Sequence, residues 1–302
     1  MGRRIFVVLL SFGCTFALSK VLLFLYTGSG AKTKEYLPTL HVEKVGTPLI
    51  GGVAFILGSS VATLFEAHLG AATILYPLLG LLAFGGLGLL DDWSKAHKRS
   101  GDGFTSLQKL ALQLLLSALF VAVMPLKTSL DVKTFHLELG WAYYPLATLF
   151  IASFVNAVNI TDGLDSLASL AAIPPLLLLL LSSQFVSGAL LGGLIAFVWF
   201  NFPPAKTFMG DSGSHGLGGY LAITALLVNQ EVLITFASLL FFLEMASSLL
   251  QIISIRGFGR KLFEIAPLHH AFEAAGFSEG RIVRFFVSLS WVFGLASFLI
   301  WG

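Results

Sequence analysis

Ten apolar stretches, separated by short polar segments, set the pattern of this 302-residue chain: residues 5–26, 49–65, 72–90, 107–124, 143–158, 167–181, 188–200, 217–228, 232–255 and 282–301. A helix that crosses a bilayer needs about 20 mostly apolar residues; some of the stretches reach that length and several are shorter. Numbered in order, the odd stretches are each followed by a segment rich in polar chemistry: residues 32–47, 91–106, 159–166, 201–214 and 256–281. If every stretch crosses, these five segments share one face. That face carries Lys32, Lys34, Lys44, Lys95, Lys98, Arg99, Lys206, Arg256, Arg260, Lys261 and Arg281, whereas the opposite loops hold chiefly Lys127 and Lys133. Lys and Arg concentrate in cytoplasmic loops, so the motif face is predicted to be cytoplasmic. Arg3 and Arg4 fall on the other side and are outweighed by the summed loops. The pattern predicts an all-α, polytopic integral membrane protein of about ten transmembrane helices with a cytoplasmic-face active-site cleft, all one catalytic domain over residues 1–302.

Composition agrees with a bilayer setting. Hydrophobic residues make up 56% and charged residues 11% of the chain, with a mean hydropathy of +0.89, whereas soluble domains are about a quarter charged. A net charge of +2 with its basic residues dispersed among loops offers no nucleic-acid surface. The single Cys14 excludes an intrachain disulfide and a cysteine metal cluster. Arg3-Arg4 and the apolar run after them look like the start of a secretory signal. The run continues past Lys20 to Tyr26 without a small-x-small cleavage site, so it is read as the first span.

Carboxylates at a bilayer centre cost about 2.5–3.5 kcal/mol each on insertion scales, so the Asp residues that close or open these stretches are expected at helix ends that face water. Asp91 and Asp92 follow Phe84-Gly85-Gly86-Leu87-Gly88, whose small residues permit close helix contact. Adjacent carboxylates raise each other's proton affinity, which suits a general base and a metal-site support; a plain ion pair with Lys95 at i+4 and i+3 is the simpler reading. Asn156, Asn159 and Asp162 recur along one helix face, and Gly163 then breaks the helix before Leu164 and Asp165. Gly210-Asp211-Ser212-Gly213-Ser214 reads as a glycine-rich loop that can present N–H groups to phosphate, with Asp211 a hard oxygen ligand for Mg²⁺. Phe208, three residues before Asp211, is apolar in a loop and is a candidate to stack on a base. Residues 264–276 read as a short cytoplasmic helix. His269 and His270 project about 100° apart on it and are poorly placed to chelate one ion. Lys44 precedes Gly46-Thr47-Pro48 and Gly51-Gly52, and Glu244 and Gln251 are polar groups inside the ninth stretch, where such groups suggest function.

Taken in order, Lys44-x-Gly-Thr-Pro, Asp91-Asp92-x-x-Lys95, Asn156-x-x-Asn159-x-x-Asp162-Gly-Leu-Asp165, Phe208-Met-Gly-Asp211-x-Gly-Ser and Ala-Pro267-x-His269-His270 resemble the polyprenyl-phosphate N-acetylhexosamine-1-phosphate transferases. The stretch from Gln251 to Glu279 is similar to the muramoyl-pentapeptide branch. Two departures stand out: Ala271 takes the place of a third histidine, and Leu49 that of a threonine. The resemblance implies a bacterial inner-membrane enzyme that joins phospho-N-acetylmuramoyl-pentapeptide from UDP-N-acetylmuramoyl-pentapeptide to undecaprenyl phosphate, releasing UMP, with Mg²⁺. It implies Asp91 as base or orienter of the lipid phosphate, Asp92 as its support, and Asp211 with Asp92 at the metal. His269, His270 and Lys44 would attend the diphosphate. Asn156, Asn159, Asp162, Gly163, Leu164, Asp165, Phe208 and Gln251 would form the nucleotide end. An aspartyl-phosphate route through Asp211 or Asp92 stays open beside direct attack, an N-acetylglucosamine-1-phosphate transferase and a secondary transporter are the alternative functions, and a homodimer is the assembly considered.

Overall fold

The structure, a computed structural model, describes residues 2–28, 46–66, 71–97, 103–132, 135–181 and 187–301. Its helices are α1 (Gly2–Gly28), α2 (Gly51–Leu64), α3 (Ala71–His97), α4 (Ser106–Val123), α5 (Tyr143–Thr161), α6 (Leu167–Ala171), α7 (Ile173–Leu181), α8 (Ser187–Asn201), α9 (Gly210–Leu227), α10 (Glu231–Ala237), α11 (Leu239–Phe258), α12 (Leu268–Ala274) and α13 (Glu279–Trp301). Each apolar stretch of the sequence falls on one of these helices or on a broken pair. Among the described residues, six helices are long and apolar enough to cross a membrane: Gly2–Tyr26, Thr73–Ala96, Ser106–Val123, Gly140–Thr161, Leu239–Phe258 and Glu279–Ile300. Gly51–Leu64, Leu167–Leu181 and Ser187–Asn201 are shorter apolar helices. Large apolar side chains such as Phe24, Leu115, Leu119, Leu295 and Leu299 point outward on α1, α4 and α13. Apolar faces that extensive suit lipid and not water; this is a multi-pass membrane protein.

At the centre runs α9, buried at every residue from Ser212 to Leu226 and packed against α3 and α5. Phe84, Phe154, Phe197, Tyr220 and Phe241 fill the core around it. Because neighbours surround this helix on all sides, its polar first turn is held at the end of the bundle where α3 and α5 also end.

The all-α reading needs one correction. Residues Ser129–Val132 (β1) and Phe135–Glu138 (β2) form an antiparallel hairpin, Leu130 opposite Leu137. The alternation Phe135-His136-Leu137-Glu138 has the two-residue period of a strand, but four residues are too few to stand out against windows of apolar sequence. His136 lies between Asp131 (Nδ1 to Oδ1, 2.5 Å) and Glu138 (Nε2 to Oε1, 3.1 Å), and Asn229 donates to Asp131, which fastens the hairpin to the turn after α9.

Two expected spans are broken. Residues 167–181 divide at Ala172 into α6 and α7, with Pro174 and Pro175 in the first turn of α7, where a missing N–H loses no helical bond. Residues 232–255 divide at Ser238 into α10 and α11, with no Pro or Gly to mark the interruption.

Candidate active site

Four helix ends meet in one polar cluster. Asp91 and Asp92 do not terminate α3, which runs on to His97, so they and Lys95 share its last turns. Asp211 belongs to the first turn of α9 and not to a loop before it, where the helix dipole favours its negative charge. The expected ion pair is present, Lys95 Nζ lying 2.7 Å from Asp91 Oδ2, but the same ammonium reaches Asp211 Oδ2 at 2.6 Å and Asp92 Oδ1 at 3.8 Å. Lys109 of α4 lies 2.6 Å from that Asp211 oxygen and 2.9 Å from Asp91 Oδ2. Phe104 N–H donates to Asp91 Oδ1 at 2.5 Å, and Ser212 N–H to Asp92 Oδ2 at 3.0 Å. From α5, the Asn159 amide donates to Asp211 Oδ1 (3.0 Å) and Ser214 Oγ (2.9 Å).

Lys109 belongs to none of the sequence motifs. Its signal is Thr105-Ser-Leu-Gln108, a capping box: Gln108 N–H donates to Thr105 Oγ1 at 3.2 Å and Thr105 N–H to Gln108 Oε1 at 2.9 Å. The box fixes where α4 starts and so places Lys109 on its first turn, facing the acids.

Beside this cluster opens a cavity of about 230 Å³, lined by Leu49, Asp92, Lys95, Asn159, Asp162, Gly163, Leu164, Asp165, Asn201, Phe208, Met209, Gly210 and Asp211. Asp92 therefore faces the cavity, while Asp91, 1% exposed, lies behind it and holds the two lysines. The wall formed by residues 162–166 is built to one shape. Asp162 caps α5, and Ser166 adopts a left-handed conformation (φ 66°), which is costly for a residue with a side chain. Asn201, another residue without a sequence signal, accepts the Ser166 N–H (2.7 Å) and donates to the Thr207 carbonyl (2.9 Å). Glu279 accepts the Asp165 N–H at 2.8 Å. The opposite wall is held by the first turn of α2, whose Gly51 and Gly52 N–H groups donate to the carbonyls of Phe208 (3.0 Å) and Met209 (3.1 Å).

Other candidates lie outside the lining. His269 is buried, its Nδ1 3.1 Å from Glu244 Oε2, and His270 Nδ1 is 2.6 Å from Glu273 Oε2. Gln251 accepts the N–H groups of Leu262 and Phe263 (3.0 and 2.8 Å) and donates to the Phe263 carbonyl, holding the segment that leads into α12. Asn156 donates to Gln113 Oε1 at 2.6 Å, and the Gln113 amide meets His215 Nε2 at 3.0 Å, a buried network below Asp211. Lys44 lies outside the described residues.

The sequence profile of glycosyl transferase family 4 matches residues 74–229. A phospho-N-acetylmuramoyl-pentapeptide-transferase of Halalkalibacterium halodurans is 34% identical over 282 residues, covering 88% of this chain and 87% of the relative. Proteins of the same name from Clostridium perfringens (34% over 281 residues, 89% of this chain, 87% of the relative) and Bacillus thuringiensis (35% over 291 residues, 90% and 89%) are similar. The chain belongs to the phospho-N-acetylmuramoyl-pentapeptide-transferase family. Residues 74–229, matched by glycosyl transferase family 4, take in Asp91, Asp92, Lys95, Lys109, Asn159, Asp162 and Asp211, the polar cluster itself.

Charge around this cavity is unbalanced. Burial first, and then the negative charges of Asp211, Asp92 and Asp165, push the Asp162 carboxyl well above the ordinary carboxylate range. A carboxyl with a raised folded pKa favours the native state only while protonated, so its contribution is present in acid and is lost as pH rises through and above the usual carboxylate range. Asp162→Asn is therefore expected to raise the melting temperature at pH 8 by about 2–4 °C, a difference that shrinks toward pH 4, while turnover falls. Melting curves across that pH range check it; a gain independent of pH would contradict the repulsion.

Mg²⁺ takes oxygen ligands, commonly one or two carboxylates together with substrate phosphates. Asp92, Asp211 and the Asn159 carbonyl offer that chemistry at one wall. Among the described residues no three His, Cys, Asp or Glu side chains are grouped to enclose an ion by themselves. The oxygen donors of Asp92, Asp211 and Asn159 are of the kind a hard cation takes.

Proposed function

We propose that the protein transfers phospho-N-acetylmuramoyl-pentapeptide from UDP-N-acetylmuramoyl-pentapeptide to undecaprenyl phosphate, giving lipid I and UMP for peptidoglycan synthesis. The observation that carries the reading is the pair Lys95 and Lys109, both 2.6 Å from one Asp211 oxygen at the edge of the cavity. Two ammonium groups held by carboxylates can turn to phosphate oxygens when a diphosphate enters. The family's relatives carry the name of this activity.

In this reading a phosphate oxygen of the lipid acceptor attacks the sugar-linked phosphorus. One P–O bond forms, the P–O bond to UMP breaks, and UMP leaves with the bridging oxygen and its electron pair. One diphosphate linkage replaces another, so no ATP is needed, and catalysis is positioning and charge neutralisation. Asp92, the member of the carboxylate pair that faces the cavity, orients the acceptor phosphate; Asp91 holds Lys95 and Lys109 ready. Asp211 and Asp92 would hold Mg²⁺, which when bound neutralises phosphate charge and draws the phosphorus open to attack. Asn159, Asp162, Gly163, Leu164, Asp165 and Phe208 receive the nucleotide. His270 and Lys44 attend the diphosphate by resemblance.

The excess of Lys and Arg in the motif loops supports ten crossings with the cleft at the cytoplasmic side of the inner membrane. Broken helices are a feature of secondary transporters, and α6–α7 and α10–α11 are broken here. The acids, however, come from the ends of α3, α5 and α9 and not from those breaks. Purified protein with Mg²⁺ and undecaprenyl phosphate, offered each nucleotide sugar in turn, tests the assignment: lipid-linked product and UMP are expected with UDP-N-acetylmuramoyl-pentapeptide. Product with UDP-N-acetylglucosamine alone would move the chain to the other branch.

A further inference from the structure

One buried pair is left without a task by this mechanism. Glu244 and His269 are both fully buried, each 0% exposed. Glu244 Oε2 accepts from His269 Nδ1 (3.1 Å) and lies 3.4 Å from the His269 backbone N–H at the start of α12. The carboxylate thereby fixes the tautomer, with hydrogen on Nδ1, and the plane of the ring. His269 Nε2 has no hydrogen-bond partner.

That nitrogen has a definite neighbour. It occupies the space a side chain at residue 163 would need: a Cβ there would stand 2.2 Å from Nε2, 3.0 Å from Cε1 and 3.1 Å from Cδ2. Gly163 lines the cavity, and with Asp162, Leu164 and Asp165 it forms the wall whose other fastenings are Asn201 and Glu279. The imidazole is thus the third support of that wall, pressed on the backbone from behind. A polar edge would not be buried there unless its placement mattered, since leaving it unpaired is unfavourable.

We propose that Glu244 is a positioning residue for nucleotide binding: by clamping His269 against Gly163 it sets the backbone of residues 162–165 from the side opposite the ligand. His269 then supports the wall instead of touching the diphosphate. The inference rests on the reading of this wall as the nucleotide end, and it explains why a carboxylate is kept deep in α11 beside α12.

Steady-state kinetics on Glu244→Ala, Glu244→Gln and Gly163→Ala, with melting curves for each, test it. Loss of a buried charge-assisted bond predicts a KM for the nucleotide sugar raised about tenfold in Glu244→Ala, kcat and the KM for the lipid phosphate changing little, and partial rescue by Glu244→Gln, whose amide oxygen still accepts from Nδ1. Gly163→Ala, which forces the wall off the ring, is expected to show the same KM signature with Glu244 intact. An unchanged nucleotide KM in a folded Glu244→Ala protein overturns the proposal. So does a loss confined to kcat and melting temperature, which is the pattern of a merely structural residue. If the unaltered protein turns over no nucleotide sugar at all, it is the assigned activity that fails.

Discussion

Asp211→Asn is expected to lower turnover about a thousandfold in a protein that still folds. Two ammonium groups, on Lys95 and Lys109, sit 2.6 Å from one Asp211 oxygen, and Asn159 donates to the other. An amide cannot hold two cations, nor serve as a hard anionic ligand. Asp91 would still keep both lysines, at 2.7 and 2.9 Å, so the helix ends should stay together and the loss should fall on chemistry. UMP release lowered about a thousandfold beside an unchanged helical signal would establish this. Turnover within a factor of ten of the unaltered protein would remove Asp211 from the site.

A second large effect is expected where no charge is involved. A Cβ on Gly88 would stand 2.0 Å from the Asp211 carbonyl oxygen, 2.3 Å from its carbon and 2.7 Å from Ser212 N. All three atoms are backbone, so Gly88→Ala must push α9 off α3, a strain of about 1–3 kcal/mol or more. The same movement drags Asp211 away from Lys95 and takes Ser212 N–H from Asp92. Because misplacement by an ångström can cost about a hundredfold in rate, activity should fall more than stability. Gly86→Ala is the matched control, since a Cβ there meets nothing within 4 Å. Equal activity in the two variants would show that the close approach of α3 and α9 does not set the site.

The sequence made much of this visible because the bilayer leaves few places for charge. Acids at the ends of apolar stretches are unfavourable unless they face water together, and Asp92, Asp162, Asp165 and Asp211 do line one cavity. The small residues before Asp91 announced a close contact, and Gly88 makes it. Lys109 was hidden because a lysine on a helix end has an ordinary explanation; only the packing of α4 against α3 shows its direction. Asn201 was hidden for a similar reason, its task being to hold a backbone turn 35 residues away in sequence. The hairpin was too short for an apolar window, and the interruption at Ser238 has no Pro or Gly to give it away. Histidines suggest contact with phosphate; His269 is buried with its ring against Gly163, and Gln251 and Asn156 hydrogen-bond to neighbouring segments.

The ends of α3, α4, α5 and α9 are proposed to form one phosphate-handling site that opens to the cytoplasm. Nucleotide sugars are too highly charged to cross a bilayer, so sealed vesicles of opposite orientation, each holding the protein and undecaprenyl phosphate, test it most directly. Labelled UDP-N-acetylmuramoyl-pentapeptide added outside should give lipid-linked product with inside-out vesicles and none with right-side-out vesicles until they are opened. Product formed only by intact right-side-out vesicles would put the site on the outer face instead.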